Sequence, residues 1–392
     1  MQSTYPAQDY AFQTVRHVEA GIGASARLGE LAARYAPGAR SALLVTDAGV
    51  RKAGLFEPAL RALREGGLKV QVFDGVQADP PDHVALFACT QAREVGAGLV
   101  IGFGGGSSMD VAKIVACLAH PDNRLELPQL YGVESVRIQR LPLLQVPTTA
   151  GTGSEVTRVA IVTTGATTKS GIVNAGLLAD AVLLDAALTR GLRPAVTAAT
   201  GIDAMVHAIE AYTSARRKNP LSDMLAREAL RLLGGSLLRA VEQGEDLRAR
   251  EDMLRGAMLA GMAFDNAPVA AVHALAYPLG GIHHLPHGLS NALVLPHVLR
   301  FNEPAAAELY AQLAGVLLPQ AAPGAAGARQ MIDHMAGLCA SSGLPTRLRD
   351  CGVEPADLAL LAREAMGQQR LLQNNPRPLD EADALAIYEA AF

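Results

Sequence analysis

The chain has 392 residues, half of them apolar, with 34 Lys+Arg against 38 Asp+Glu for a formal net charge of −4. That length suits two to three average domains with sizeable cores. No basic block is present to track a phosphate backbone and no run reaches the roughly 18 apolar residues of a membrane span, so neither nucleic acid nor membrane is an expected partner.

The opening MQSTYPAQDYAFQ has neither a cationic start nor an apolar core, which predicts a cytoplasmic protein. SALLVTDAG (41–49) and LKVQVFDG (68–75) read as strands and ALFACTQAREVGA (85–97) as a helix. The strand GLVIGFGGG (98–106), the helix SSMDVAKIVACLAH (107–120) and the buried strand LPLLQVPTT (141–149) follow. Strand, crossover helix and strand in succession predict an α/β N-terminal domain with a doubly wound, mostly parallel sheet. From Pro194 onward Ala, Leu, Arg and Glu recur at helical intervals almost to Phe392. An all-α C-terminal domain is expected, with the domains at 1–190 and 191–392 and helix breaks around 217–220, 278–288 and 319–327. Cys89, Cys117, Cys339 and Cys351 show no CxxC spacing and read as buried free thiols.

Chemistry concentrates at the strand ends. In IGFGGGSSMDVAK (101–113) a strand yields to a helix, where exposed backbone N–H groups and the helix dipole favour a phosphate. Gly104, Gly105 and Gly106 let the backbone approach an anion, and Ser107 and Asp110 occupy the first helical turn. Asp110 either caps that helix or holds a cofactor hydroxyl, and a tight strand-to-helix turn asks for glycine on backbone grounds alone. PTTAGTGSEVT (147–157) offers Thr148, Thr149, Thr152 and Ser154 at the end of another buried strand. Asp47 ends a third, where a carboxylate accepts from a ribose diol and repels a 2′-phosphate, or caps the next helix. Three such ends on one sheet make a dinucleotide the leading ligand.

The helical half collects histidines. TGIDAMVHAIEAY (200–212) places Asp203 and His207 four residues apart, on one helix face. In AVHALAYPLGGIHHLPHG (271–288), His273 lies on another helical run and His287 follows a break that can turn the chain back toward it. One carboxylate with three imidazoles suits Fe2+ or Zn2+ by ligand type. His283, His284 and His297 read as ordinary loop or core histidines, and His17, His83, His120 and His334 have no evident partners in the sequence.

GGGSSMDVAK, PTTAGTGSEVT, TGIDAMVHAIEAY, and VHALAYPLGG followed by LPHG occur together in the order and spacing of one family. Over essentially its whole length the chain resembles the iron-containing, group III alcohol dehydrogenases. The resemblance implies metal ligands at Asp203, His207, His273 and His287, and contacts to a nicotinamide cofactor at Asp47, Gly106, Ser107, Asp110, Thr148, Thr149, Thr152 and Lys169. Gly105 joins them as the middle of the loop. It also implies a homodimer. Two departures stand out: Tyr277 occupies a position where many members carry a proton-relaying His, and Asp79 stands where Asn is usual. Helical spacing puts Tyr277 on the face of His273, so His287 and Tyr277 are the residues expected beside the reacting groups. The expected activity is NAD-dependent hydride transfer to or from a small alcohol or aldehyde, assisted by the metal. A maleylacetate-type reductase, a hydroxyacid–oxoacid transhydrogenase and a nucleotide-sensing protein without turnover are the alternatives.

Overall fold

A computed structural model describes residues 9–165 and 168–392. MQSTYPAQ, the start of the stretch read for targeting, and Thr167 of TTKSGIV lie outside the described residues. The chain forms two compact units, Thr14–Gly191 and Leu192–Phe392, and the segment ending at Gln13 goes with the second. A two-way amide clasp holds that segment: Gln13 N donates to Asn266 Oδ1 and Asn266 Nδ2 to Gln13 O, each at 2.8 Å.

The first unit is built on six strands, β1 (Val18–Ala20), β2 (Ser41–Asp47), β3 (Lys69–Val76), β4 (Leu99–Gly104), β6 (Leu143–Pro147) and β9 (Ala181–Leu184). Their order is β1-β9-β6-β4-β2-β3 and every pairing is parallel. Parallel strands covered on both faces read as continuous apolar runs, and β4 and β6 are buried at every residue. The edge strand β3 alternates exposed and half-buried positions along its first half. Among the described residues antiparallel pairing is confined to a second sheet of β5 (Gly132–Val133), β7 (Val159–Thr164) and β8 (Thr168–Val173), in which β7 runs against β8. From β2 the order proceeds to β3 on one side and to β4, β6 and β9 on the other. The carboxyl ends of β2 and β4 therefore flank the reversal of strand order, the place where open α/β sheets bind ligands.

The second unit is helical, led by Pro194–Thr213, Pro220–Glu242, Leu247–Asn266, Ala271–His283, His287–Leu317 and Gly324–Ser341. Asn219 and Asp246 cap two of these, accepting from the N–H groups of Ser222, Arg248 and Ala249. The expected breaks near 217–220 and 319–327 overlap the interruptions between Thr213 and Pro220 and between Leu317 and Gly324, although residues 324–327 already belong to the next helix. The one at 278–288 is narrower than expected, because the helix continues through Pro278 to His283. Proline costs this helix one backbone bond, and the burial of the run Ala271 to Ala276 with Pro278, Leu279 and Gly280 outweighs it. The chain turns instead at His284, left-handed with φ 55°, ahead of Pro286. Among the described residues no helix is long and apolar enough to cross a membrane.

All four cysteines are free; Cys89, Cys117 and Cys339 are buried, whereas Cys351 is half-buried. Burial pushes the Cys89 and Cys339 thiols up to about 12 and that of Cys117 to about 11, so these three stay protonated at neutral pH.

Candidate active site

In the first unit, β4 and β6 end in register, Gly104 against Pro147, and Thr148 N bonds Gly104 O at 2.9 Å. The glycine turn and the threonine loop are thereby neighbours. Gly106 leaves room for the threonine loop: a Cβ there would stand 2.8 Å from Thr152 Cγ2 and displace that side chain. The following helix, Gly106–Leu118, has Gly105 as its N-cap and no side chain capping its first turn. Its first N–H groups are the kind that phosphate oxygens satisfy. Gly105, Gly106, Ser107, Thr149 and Thr152 are half-buried, and Thr148 is buried.

Both sequence readings of Asp47 bear on one side chain. Its Oδ1 caps the Ala48–Lys52 helix, accepting from Gly49 N at 2.8 Å and Val50 N at 3.0 Å. Oδ2 accepts no hydrogen bond among the described residues and faces Gly104. Asp110 is more fully engaged: Oδ1 accepts from Ser154 Oγ at 2.5 Å and Lys113 Nζ at 3.4 Å, and Oδ2 from Ile161 N at 3.0 Å. It ties the threonine loop and β7 to the helix. Ser154 is likewise taken, since its Oγ also accepts from Lys113 at 2.9 Å. Lys169 donates to Asp79 Oδ1 at 2.6 Å, so the lysine of TTKSGIV meets the aspartate of QADPP. Asp79 is left-handed, with φ 49°.

In the second unit, Asp203 and His207 project from one face of the Pro194–Thr213 helix, both buried. His273 is the third residue of its helix and His287 the first of the next. Gly288 lets that second helix start close by, because a Cβ there would lie 2.3 Å from Ala199 O. Asp203 Oδ1 stands 3.6 Å from His287 Nε2, 3.7 Å from His273 Nε2 and 3.8 Å from His207 Nε2. Four ligands at about 2.1 Å from a tetrahedral cation stand about 3.4 Å apart, so each of these carboxylate-to-imidazole distances is within a few tenths of an ångström of the spacing around a divalent ion. Ligand atoms of Asp203, His273 and His287 all lie within 4.8 Å of one another; His207 stands outside that tighter set and reaches the same carboxylate. Burial opposes the charge on Asp203, yet His207, His287 and His273, with a bond from Asn291, outweigh it and hold the carboxyl below its ordinary range.

The rings form a row. Phe264 stacks on His207 at 4.3 Å between centroids, His207 on His273 at 4.7 Å, and His287 sits 5.3 Å from His273. Tyr277 ends the row, tilted against His287 at 5.9 Å. The His287 side chain is 30% exposed, against 3% for His273 and 6% for His207, so His287 is the open side of the cluster.

Two further side chains complete the cluster and were not singled out from the sequence. Asn291, one turn beyond His287, donates to Asp203 Oδ1 at 2.6 Å and stands 3.4 Å from Nε2 of both His273 and His287. An electropositive amide N–H thus lies against the same atoms that form the candidate cation site. The amide's own Oδ1 is buried and meets no hydrogen-bond partner among the described residues. Glu210 accepts from Val272 N and bonds His273 Nδ1, each at 2.7 Å. The signal for both was helical spacing, i+4 from His287 and i+7 from Asp203. Other histidines lie elsewhere: His283 is 3.4 Å from Asp357, and burial and Arg300 hold His297 down at about 4 and so neutral.

Residues 16–186 match the family described as iron-containing alcohol dehydrogenase, and residues 197–392 match the C-terminal part of the Fe-containing alcohol dehydrogenase family. The chain is 41% identical over 358 residues to long-chain-alcohol dehydrogenase 1 of Geobacillus thermodenitrificans, covering 91% of this chain and 90% of the relative. Against 1,3-propanediol dehydrogenase of Klebsiella pneumoniae it is 39% identical over 361 residues, covering 91% and 92%. The crystal structure of a 1,3-propanediol oxidoreductase superposes with a TM-score of 0.94 at 36% identity, over 98% of this chain and 100% of that one. The carboxylate–imidazole cluster, the glycine turn and these matches over both units make the chain a member of the iron-containing alcohol dehydrogenase family, an oxidoreductase acting on alcohols.

Proposed function

We propose that the protein transfers a hydride between NAD(H) and a small primary alcohol or the matching aldehyde, using Fe2+ or Zn2+ held by Asp203, His207, His273 and His287. The observation that carries this is the approach of three imidazole Nε2 atoms to within 3.6–3.8 Å of one carboxylate oxygen. When bound, the cation supplies Lewis acidity toward the substrate oxygen and the nicotinamide gives or takes the hydride. The chain's own residues do the holding. Asp203 brings the negative charge that a site of neutral imidazoles lacks. Tyr277, tilted against the ring of the partly exposed His287, is assigned the proton-handling position, and Phe264 walls the His207 end.

In the first unit, the uncapped helix start at Gly105, Gly106 and Ser107 is assigned to the dinucleotide phosphates, with Thr148, Thr149, Thr152 and the Lys169–Asp79 pair around it. Asp110 supports this loop from beneath. Asp47 Oδ2 is oriented to accept from a ribose diol, and its charge opposes a 2′-phosphate. A maleylacetate-type reductase is the weaker reading because the ligating carboxylate, Asp203, is in place.

The test is elemental analysis of protein purified without added metal, with turnover on short alcohols, diols and aldehydes using NAD(H) and NADP(H). Asp203→Ala should lose the metal and about 100-fold or more in turnover, since even outer-shell changes cost 10–100-fold. A metal-free Asp203→Ala protein that reduces aldehydes as fast as the parent rejects the mechanism. Equal use of NADP rejects the assignment of Asp47.

A further inference from the structure

We propose that Glu210 is a positioning residue: it caps the helix that carries His273 and, with the same carboxylate, fixes which nitrogen of that imidazole is left to bind a cation. The inference rests on the reading that Asp203 and the three histidines hold one. Glu210 is 4% exposed and lies on the same helix as Asp203 and His207. The Ala271–His283 helix begins at Ala270, whose side chain offers no acceptor, so its first N–H groups need a partner from elsewhere. Glu210 Oε1 takes the N–H of Val272, the second residue of that helix, at 2.7 Å. A carboxylate there also complements the positive end of the helix dipole.

Its other oxygen decides the chemistry of the ring. Glu210 Oε2 lies 2.7 Å from His273 Nδ1, and an ionised carboxylate only accepts. The proton of neutral His273 therefore sits on Nδ1, and Nε2 keeps its lone pair, aimed at the Asp203 side, 3.7 Å from Oδ1. Two acceptors facing each other across that distance ask for an electropositive group between them. In a buried site that is an N–H or a cation, and the Asn291 amide already approaches both atoms.

Glu210→Gln separates the two duties. An amide has one acceptor and one donor end. With its oxygen on Val272 N–H, its NH2 faces His273 Nδ1, which then has to accept; the ring proton moves to Nε2 and the ligand lone pair is lost. Turned over, the amide sets NH2 against the Val272 N–H and abandons the cap. The probes are Zn2+ and Co2+ alone, by chelator competition and by the visible absorption of bound Co2+, alongside thermal unfolding of the metal-free proteins. The expected result is a Glu210→Gln protein whose metal-free melting temperature stays close to the parent's, whose Co2+ spectrum changes and whose affinity for both ions falls about 10–100-fold. Unchanged affinity and spectrum in Glu210→Gln, with normal binding by the parent, overturn this inference alone. Failure of Glu210→Gln to fold also overturns it, because the amide keeps the volume and one of the two bonds. A parent that binds neither ion overturns the cation reading itself.

Discussion

Beneath the glycine turn lies Lys113, fully buried, its Nζ donating to Val159 O at 2.6 Å, Ser154 Oγ at 2.9 Å and Thr157 Oγ1 at 3.2 Å. Glu155 is buried beside this network, and burial pushes its carboxyl up to about 7 against the pull of Lys113. Below about pH 4.5 folded and unfolded chains both carry the proton and the associated stability is fully present. Between there and about pH 7 the unfolded chain has released the proton while the folded one keeps it, so stability falls as pH rises, by about 3 kcal/mol in all. Glu155→Gln should flatten that dependence, and urea midpoints at pH 5 and pH 8 measure it. A parent whose midpoint is the same at both values contradicts the expectation. Asp203 and His207 were legible as a pair because four-residue spacing is a local property of a helix. Glu210 lies on the same helix but carries no such local signal, since a glutamate on a helix is ordinarily solvated. Only the Ala271–His283 helix lying across it makes it a buried ligand-positioning group.

At the scale of elements, the approach of His287 to Asp203 depends on one missing side chain. Gly288→Ala places a methyl 2.3 Å from Ala199 O and 2.7 Å from Ala199 C, both backbone atoms of the facing helix. Overpacking of this kind costs typically 1–3 kcal/mol, and relief comes by moving the start of the His287–Leu317 helix, and with it His287. Chemical denaturation should show that loss and a Co2+ titration a weakened site; a variant as stable as the parent with undiminished binding contradicts it. The strands β2, β3, β4 and β6 were visible as apolar or β-branched runs between turn residues, whereas β1 and β9, of three and four residues, are too short to show a period. Pro278 and its neighbouring glycines predicted a break that the burial of the helix overrides.

For the whole molecule, two compact units carry the two proposed binding duties, the cation in the helical one and the dinucleotide in the α/β one. A ligand that binds only the folded state stabilises it by mass action, about 4 kcal/mol at a thousandfold excess over Kd. Chelation of the metal-loaded protein should therefore lower the melting temperature, and returned Zn2+ or Co2+ should restore it in the parent but not in Asp203→Ala. Melting that is indifferent to both treatments contradicts a resident cation. Class, parallel sheet, glycine turn and the types of ligand were readable along the chain, because each follows from neighbours within a few residues: side-chain period, turn chemistry and helical spacing. Which carboxylate oxygen meets three imidazoles, that Asp110 and Ser154 hydrogen-bond each other across the loop, and that Glu210 and Asn291 touch the cluster became visible only through packing. Those contacts join residues separated by tens of positions, and their geometry depends on how closely whole helices approach, as at Gly288, which no local pattern encodes.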